Sequence, residues 1–305
     1  MLSENGHQVR ALCRPGSHLR ELDVERVTGD LRDPSSLTRA VDGCQFLFHV
    51  AADYRLWSRN SDSLYQSNVD GTHNILEAAE RAGVKKIVYT STVGCIGMPK
   101  NEIGDENTPV SVKDMAGHYK RSKWLAEEVA LRKAREGLPV VIVNPTAPVG
   151  DHDWKPTPTG KIIVDFLDGK MTAILDTGLN IVDAEDVAMG HLLAAQHGRI
   201  GERYILGSEN LTFAQILGKL AALSHKKAPR LKIPYAIAYA AGVVTTGLSY
   251  ITGKPPIAPL EGVKMARKKM FVTHAKATRE IGFSPRPAET ALEKAVKWFS
   301  ENGYR

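Results

Sequence analysis

The sequence predicts an α/β fold built on a doubly wound parallel sheet, followed by a smaller and mostly helical part. Two observations lead to this fold class. Between Gln8 and Asn144, short strand-like runs alternate with helical stretches, and the runs "FLFHVAA" and "KIVYTSTVG" are apolar on both faces. Strands that alternate with helices form parallel sheets with right-handed crossovers, and uniformly apolar strands are covered on both sides.

The elements of the first part follow in order along the chain. The predicted strands are Gln8 to Cys13, Val24 to Thr28, Gln45 to Val50, Lys86 to Thr90 and Val140 to Asn144. The predicted helices are Pro34 to Val41, Ser63 to Ala82 and Asp114 to Glu136. Asp33 is an N-cap signal, Gly83 is a helix stop, and Arg14 to Ser17 is a turn. Because ligands of open parallel sheets bind beyond the carboxyl ends of the strands, chemistry is expected after each strand.

The pattern changes after Gly150. Residues 1–150 are expected to form one domain, and residues 151–305 a smaller domain that carries substrate specificity. Residues 176–198 are expected to return to the first domain, because "NIVDAEDVAMGHLLAA" is typical of a strand end followed by a capped helix. The proline-rich stretch "DWKPTPTG" is predicted to be a loop over a site.

Composition limits the possible functions. The chain of 305 residues is 43% hydrophobic and 24% charged, which is typical of a globular protein. The net charge of +6 comes from dispersed basic residues without a nucleic-acid motif, so we expect no nucleic-acid partner. Cys13, Cys44 and Cys95 are far apart and are interpreted as buried apolar residues of a reducing compartment, which points to the cytoplasm. No metal-ligand spacing is present, so we expect no metal site.

One uncharged stretch, "YAIAYAAGVVTTGLSYI" at Tyr235 to Ile251, is a candidate for contact with a membrane. It is short for a bilayer span and contains Gly, Thr, Ser and Tyr. The pattern favours a buried helix over membrane contact.

The main chemical candidates are Tyr119 and Lys123, four residues apart in the helical stretch "HYKRSKWLAEEVALRKA". This spacing places both on one helix face, where an ammonium would lower the pKa of the phenol and suit it to acid/base work. Tyr250 and Lys254 have the same spacing, but Gly253 and Pro255 interrupt the helix there.

Hydroxyl groups at a strand end strengthen the interpretation of Tyr119. Ser91 and Thr92 follow the buried strand before the Tyr119 helix, where a hydroxyl could bind a substrate oxygen. Taken alone, these residues could simply close a strand.

These motifs resemble a known family. Thr92, Tyr119 and Lys123, with "GDLRD", "FHVAA", "NVDGT" and "NPTAPVG", are similar to the extended short-chain dehydrogenase/reductases, the NAD(P)-dependent epimerase/dehydratase group. The resemblance covers nearly the whole chain and implies a Rossmann-type NAD(P)-binding domain. The stretches "KPTPTGKIIVDFL", "DTGLNIVDAEDVA", "ERYILG" and "ARKKMF" resemble the hopanoid-associated sugar epimerase branch, which is also similar to dihydroflavonol reductases.

The resemblance implies roles for individual residues. Tyr119 would be the general acid/base, Lys123 would bind the nicotinamide ribose and lower the Tyr119 pKa, and Thr92 would complete the catalytic set. The implied cofactor contacts, besides Tyr119 and Lys123, are Asp30, Leu31, Val50, Ala51, Ala52, Asn68, Ser91 and Pro145. From the residues alone, Asp30 could equally be a turn cap, Asn68 a polar helix residue and Pro145 a strand stop.

Arg14 concerns the choice of cofactor. An acidic residue at the end of this strand would bind the ribose 2′-hydroxyl of NAD, whereas an arginine suits the 2′-phosphate of NADP. Arg14 therefore favours NADP, with a solvated turn residue as the alternative.

Two further features are interpreted as structural. His49 lies in an apolar strand and is expected to be a core histidine. The basic run "ARKKMF" at Ala266 to Phe271 is expected to be a solvated helix face, with a substrate phosphate contact as the alternative.

The resemblance implies an NAD(P)-dependent epimerase acting on a sugar or nucleotide-sugar by transient oxidation and re-reduction. A one-way NADPH-dependent carbonyl reductase of the dihydroflavonol-reductase kind is the alternative, because both use the same three residues. An alternative of another class is a cofactor-binding protein or fragment without activity. Homodimerisation through the helices Ser63 to Ala82 and Asp114 to Glu136 is also implied.

The first residues match the second strand of the family. Its first strand and its Gly-x-x-Gly-x-x-Gly turn, which binds the pyrophosphate at a helix N-terminus, would precede Met1. We therefore expect that the start is truncated or misassigned, and that the chain alone folds poorly or binds the cofactor weakly.

Overall fold

A four-stranded parallel sheet forms the centre of the molecule. The computed structural model describes residues 1–16, 24–99 and 102–304. The sheet has the order β3-β4-β5-β9, with β3 at Phe46–His49, β4 at Lys86–Thr90, β5 at Val140–Pro145 and β9 at Arg203–Leu206. Every residue of β5 is buried, as expected for a central strand covered on both faces.

Two strands at the start of the chain form a second sheet. β1 (Arg10–Cys13) and β2 (Glu25–Thr28) pair in parallel, and within the described residues no ladder joins them to the four-stranded sheet. The two sheets meet through side chains, since Leu12 and Leu47 pack on the same apolar cluster. Of the predicted turn at Arg14 to Ser17, Ser17 lies outside the described residues.

Helices cover both faces of the four-stranded sheet, which makes it doubly wound. On one face, α3 (Gly71–Arg81) and α4 (Gly117–Arg135) pack on Ile87, Tyr89 and Ile142. On the other, α6 (Ala184–His197) and α10 (Ala275–Ile281) pack on the alternate residues of the same strands. This division follows from the two-residue period of a strand.

Shorter helices complete the first part of the fold. α1 is Pro34–Val41, and the Asp33 side chain accepts a hydrogen bond from Ser35 N as predicted for an N-cap. α2 is Asp62–Tyr65 and continues through a π-helical turn, Gln66–Asp70, into α3.

A second core lies in the later residues. β6 (Ala147–Val149), β8 (Gly178–Asp183) and β10 (Glu209–Thr212) form a sheet of order β10-β8-β6. The helices packed on it are α5 (Pro158–Leu167), α7 (Phe213–Ser224) and α11 (Ala288–Glu301). β7 (Ala173–Ile174) pairs with β11 (Leu231–Lys232). The predicted loop "DWKPTPTG" is only partly a loop, because Thr157 caps α5 through a hydrogen bond from Gly160 N.

The predicted burial of the uncharged stretch is wrong. α8 (Tyr235–Thr252) is a helix, but only Gly242 and Ser249 are buried, and α9 (Leu260–Met265) is its main neighbour. Small and hydroxyl residues make the contact, so the larger apolar side chains on the other face stay exposed. No helix among the described residues is long and apolar enough to cross a membrane.

The ends of α8 and α9 and the burial of the cysteines differ in part from the predictions. Gly253 ends α8 with a left-handed φ of 72°, so Lys254 lies outside the helix of Tyr250, as predicted. Arg267 to Lys269 are exposed but follow the end of α9, so the predicted helix face is wrong. The chain turns there through hydrogen bonds from Arg267 N to Lys264 O and from Lys268 N to Met265 O. Cys95 is buried, whereas Cys13 and Cys44 are only half-buried.

Candidate functional site

Parallel strands bring the predicted site residues to one edge of the sheet. Val50 to Ala52 follow β3, Ser91 and Thr92 follow β4, and Pro145 is the last residue of β5. Ser91 N still donates to Val143 O at 2.8 Å, which fixes the chain at the point where Thr92 begins. This is the edge at which parallel sheets bind ligands.

Thr92 and Tyr119 are neighbours at this edge of the sheet. Thr92 caps a short 3₁₀ turn, since its Oγ1 accepts a hydrogen bond from Gly94 N at 3.1 Å. Tyr119 is in the first turn of α4 and half-buried, and the Thr92 side chain lies close enough to lower the pKa of its phenol. A carbonyl oxygen placed at this edge could therefore meet two hydroxyl groups at once.

Lys123 lies one helical turn after Tyr119 and is fixed below the strand end. Its Nζ donates to Thr90 O at 2.7 Å and to Tyr89 Oη at 3.1 Å. The residue is 3% exposed, and burial lowers the pKa of the ammonium to about 8. An ammonium has three donors, so one remains for a ligand after these two contacts.

The pKa of Tyr119 is shifted opposite to the direction predicted from Lys123. Burial raises it well above the usual value, the nearby Cys95 raises it further, and the Thr92 side chain lowers it. The free-energy cost of removing the phenolate from water is larger than the stabilisation that the neighbouring groups give it. Tyr119 therefore keeps its proton at neutral pH.

Cys95 is a buried neighbour of this site. It is 0% exposed, and burial raises the pKa of its thiol to about 12, with Glu127 acting in the same direction. The thiol is thus protonated at neutral pH.

A buried polar network holds the backbone oxygen of Thr92. Asn144 Nδ2 donates to Thr92 O at 3.1 Å and to Glu127 Oε2 at 2.7 Å. Glu127 is 2% exposed and forms an ion pair with Arg203, 3.3 Å away. Sequence reasoning missed Glu127, although it lies four residues after Lys123 on the same face of α4. It also missed the support role of Asn144.

Asn68 has a positioning role beside this edge. Its Oδ1 accepts from Asp53 N at 2.7 Å, and its Nδ2 donates to Asp53 O and to Ser122 Oγ, at 2.8 and 2.9 Å. These contacts tie the loop after β3 to α4. His49 is a buried core residue, as predicted, and contacts Thr72 Oγ1 at 3.0 Å through Nε2.

Charged residues gather at the ends of β1 and β2. The Arg32 guanidinium holds the Asp30 carboxylate through two hydrogen bonds, of 2.9 and 2.7 Å, and lowers its pKa to about 2. Arg14 is exposed, and its charge also lowers the pKa values of Asp30 and Asp53. Sequence reasoning missed Arg32.

Leu31 is held in place by α3. Asn74 Nδ2 donates to Leu31 O at 2.9 Å, and a Cβ on Gly71 would come within 2.8 Å of Leu31 Cβ. The glycine therefore permits a close approach between α3 and this end of the site.

A pocket of about 250 Å³ lies on the neighbouring face of α4. Its walls include His118 and Arg121 of α4, Trp57, and Tyr250 of α8. Glu261 of α9 also lines it and accepts a hydrogen bond from His118 N at 2.8 Å. The apolar helix α8 is thus joined to the start of the Tyr119 helix.

The geometry agrees with a family assignment. The family model described as "NAD dependent epimerase/dehydratase family" matches residues 1–207. The chain belongs to this family. It is an enzyme of the extended short-chain dehydrogenase/reductase type, a group that includes epimerases, dehydratases and reductases, so the non-catalytic alternative is set aside.

Relatives with different names share the full length of the chain. A Synechocystis protein named "Putative dihydroflavonol 4-reductase" is 43% identical, over 99% of this chain and 90% of its own. Sterol demethylase protein B of Methylococcus capsulatus is 33% identical, over 99% and 94%. The solved structure of a nucleoside-diphosphate-sugar epimerase from Pseudomonas aeruginosa is 29% identical, with a TM-score of 0.80 over 99% and 92% of the two chains.

The described residues fit the nicotinamide dinucleotide that the family uses. Val50 directly follows β3 and is 59% exposed, so a flat ring could cover it. Lys123 has a spare donor for a ribose hydroxyl. Arg14 provides an exposed cation at the ends of β1 and β2, where a phosphate group would be neutralised, and Arg32 lies beside it, paired with Asp30.

Proposed function

We propose that the chain is an NADP(H)-dependent reductase that converts a ketone or aldehyde into an alcohol. The observation that carries this proposal is the placement of the Tyr119 phenol and the Thr92 hydroxyl together at the ligand-binding edge of the sheet. Two hydroxyl groups there can donate to one carbonyl oxygen, and the protonated phenol can protonate a developing alkoxide. The names of the Synechocystis and Methylococcus relatives support redox chemistry on a less polar substrate than a nucleotide-sugar.

In this mechanism the side chains orient the carbonyl group and move one proton. Thr92 Oγ1 and Tyr119 Oη donate hydrogen bonds to the substrate oxygen, and Tyr119 releases its proton to it as the alkoxide forms. Lys123 stabilises the resulting phenolate through its positive charge. When bound, the nicotinamide supplies the hydride that reaches the carbonyl carbon.

The decisive experiment is a stoichiometric one. The purified chain is given NADPH with apolar ketones and aldehydes, and NADPH loss is compared with the alcohol formed. We expect one NADPH consumed per alcohol, and Tyr119→Phe to lower kcat by roughly 10²- to 10⁴-fold. Product without net loss of NADPH would refute a reductase.

The preference for NADP is supported by Arg14 and Arg32. Both are exposed cations near Asp30, whose carboxylate is already neutralised by Arg32. We expect Arg14→Glu to weaken NADPH binding by about 10-fold, because a 2′-phosphate loses a cation and meets an anion. NADH binding, measured alongside by fluorescence titration, should change little; equal losses for both cofactors would contradict the assignment.

A nucleotide-sugar epimerase is the second candidate. It is supported by the P. aeruginosa structure and by Lys120 and Lys268, two cations next to the Tyr119 site. Their proximity lowers the pKa of Lys120 further, after the larger effect of burial. Such a pair would suit a diphosphate. Interconversion of a UDP-sugar without net cofactor turnover would favour this candidate over the reductase.

A further inference from the structure

The outer face of α8 presents a continuous apolar stripe. Ile237, Ala241, Val244, Leu248 and Ile251 recur at helical spacing, and all five are exposed. Among them Val244 is 60% and Ile251 81% exposed. A continuous exposed apolar stripe on a folded protein usually marks an interaction surface.

The orientation of this stripe is fixed by the opposite face. Thr245 Oγ1 donates to Ala258 O at 2.9 Å, and Thr246 Oγ1 accepts from Leu260 N at 3.0 Å. Gly242 packs against Leu260 and Val263. Because α8 is anchored on this side, the stripe cannot turn inward without breaking these contacts. Ile257, 93% exposed, extends the apolar surface beyond the helix end.

Basic residues flank the stripe in the sequence. Residues 210–260 contain no Asp or Glu, and residues 210–279 contain twelve Lys or Arg against Glu261 alone. The whole chain has a net charge of only +6, so the remainder is net negative. The basic residues nearest in sequence to the ends of α8 are Lys226, Lys227, Arg230 and Lys232 before it, and Lys254 after it.

These cations are available to a partner. Lys227, Arg230, Lys232 and Lys254 are exposed, and within the part of the chain that the structure describes none of the four forms an ion pair. A helix with an apolar outer face and basic flanks matches the requirements of an anionic membrane surface, where apolar side chains enter the acyl boundary and lysines meet phosphates.

We propose that α8 attaches this protein to the surface of an anionic lipid bilayer, lying in the interface without crossing it. The charge distribution selects this occupant. A second copy placed on the same stripe would bring two clusters of positive charge together, whereas anionic lipid headgroups neutralise them. The attachment would place the pocket formed by Tyr250, Glu261 and His118 next to the membrane.

The test is co-sedimentation of the full chain with vesicles. We expect binding to phosphatidylcholine vesicles that contain phosphatidylglycerol, little binding to pure phosphatidylcholine, and loss of binding as salt rises. The double variant Val244→Asn/Leu248→Asn should lower the partition coefficient on the order of 10- to 100-fold. Ile200→Asn, which changes a 53% exposed apolar residue elsewhere, should bind like the unmodified chain.

Three outcomes would overturn the proposal. These are no binding of the unmodified chain to either vesicle, equal binding of the double variant, and a dimer in sedimentation velocity that the double variant abolishes. The last would assign the stripe to a contact between copies. Circular dichroism of each variant shows whether its fold is kept, which is expected because both substituted residues are exposed.

Discussion

The position of Thr92 depends on side chains that never reach the substrate edge. Thr92 O is held by Asn144, and Asn144 is held by Glu127, whose charge is balanced by Arg203. Burial raises the pKa of Glu127, while Ser91, Arg203 and Asn144 lower it. Under the proposed function, Glu127 would therefore be a positioning residue rather than a catalytic one.

Replacing Glu127 tests this network. We expect Glu127→Ala to lower kcat by roughly 10-fold, because small displacements of a catalytic hydroxyl are costly, while the NADPH dissociation constant changes little. Glu127→Gln keeps an acceptor for Asn144 and should recover part of the loss. Steady-state kinetics and a cofactor titration separate the two quantities; a parallel loss of cofactor affinity would indicate general damage instead.

At the scale of elements, the start of α4 is held from outside by α9. Glu261 Oε1 accepts a hydrogen bond from His118 N, one of the free donors of the first turn. Its negative charge also favours this end of the helix dipole. Gly117 makes room for it: the φ of 86° suits glycine, and a Cβ there would collide with the Glu261 carboxylate.

Removal of this cap should be measurable. We expect Glu261→Ala to lower the free energy of unfolding by about 1 kcal/mol, the usual contribution of a helix cap. Glu293→Ala, at an exposed position of α11, is the matched control and should change stability very little. Urea denaturation measures both. Equal effects would show that the Glu261 contact contributes nothing.

Elements differ in how well the sequence specified them. β4 and β5 were predictable because their runs are apolar on both faces, and α4 because its helical stretch is long. The exposure of α8 was not predictable, since an uncharged helix has the same composition whether its outer face meets protein or another surface. The π-helical turn before α3 gave no signal in the sequence either.

Within the candidate site, the positions of side chains in the fold were easier to predict from the sequence than their surroundings. The proximity of Thr92 and Tyr119 follows from the end of β4 and the start of α4. The raised pKa of Tyr119 does not, because it depends on the depth of burial in three dimensions. The ion pair of Glu127 and Arg203 was not predicted, because the two residues are distant in sequence.

At the scale of the whole molecule, buried histidines link stability to pH. Burial, assisted by the charge of Lys123, lowers the pKa of His49 to about 3, and burial also lowers the pKa of His191. An unfolded histidine titrates near the ordinary value of about 6.5. The unfolded chain therefore binds protons first as the pH falls.

The contribution of His49 to the free energy of unfolding should then be constant above pH 6.5. It should decrease as the pH falls below 6.5. At pH 5 the expected loss from His49 is about 2 kcal/mol. His49→Gln, which can still donate to Thr72, should be less stable at neutral pH but show a shallower acid dependence. An unchanged slope in denaturation experiments between pH 5 and 7 would exclude His49 as the cause.

The buried thiol of Cys95 provides a natural reporter at the centre of the enzyme. With a pKa of about 12 it has almost no thiolate at neutral pH, and its 0% exposure denies reagents access. Alkylation by a maleimide must therefore await local opening, whereas the half-buried Cys13 and Cys44 need smaller motions. The rate at which Cys95 is labelled would report the frequency at which the packing around Tyr119 and Lys123 opens. No cysteine has to be introduced for this measurement.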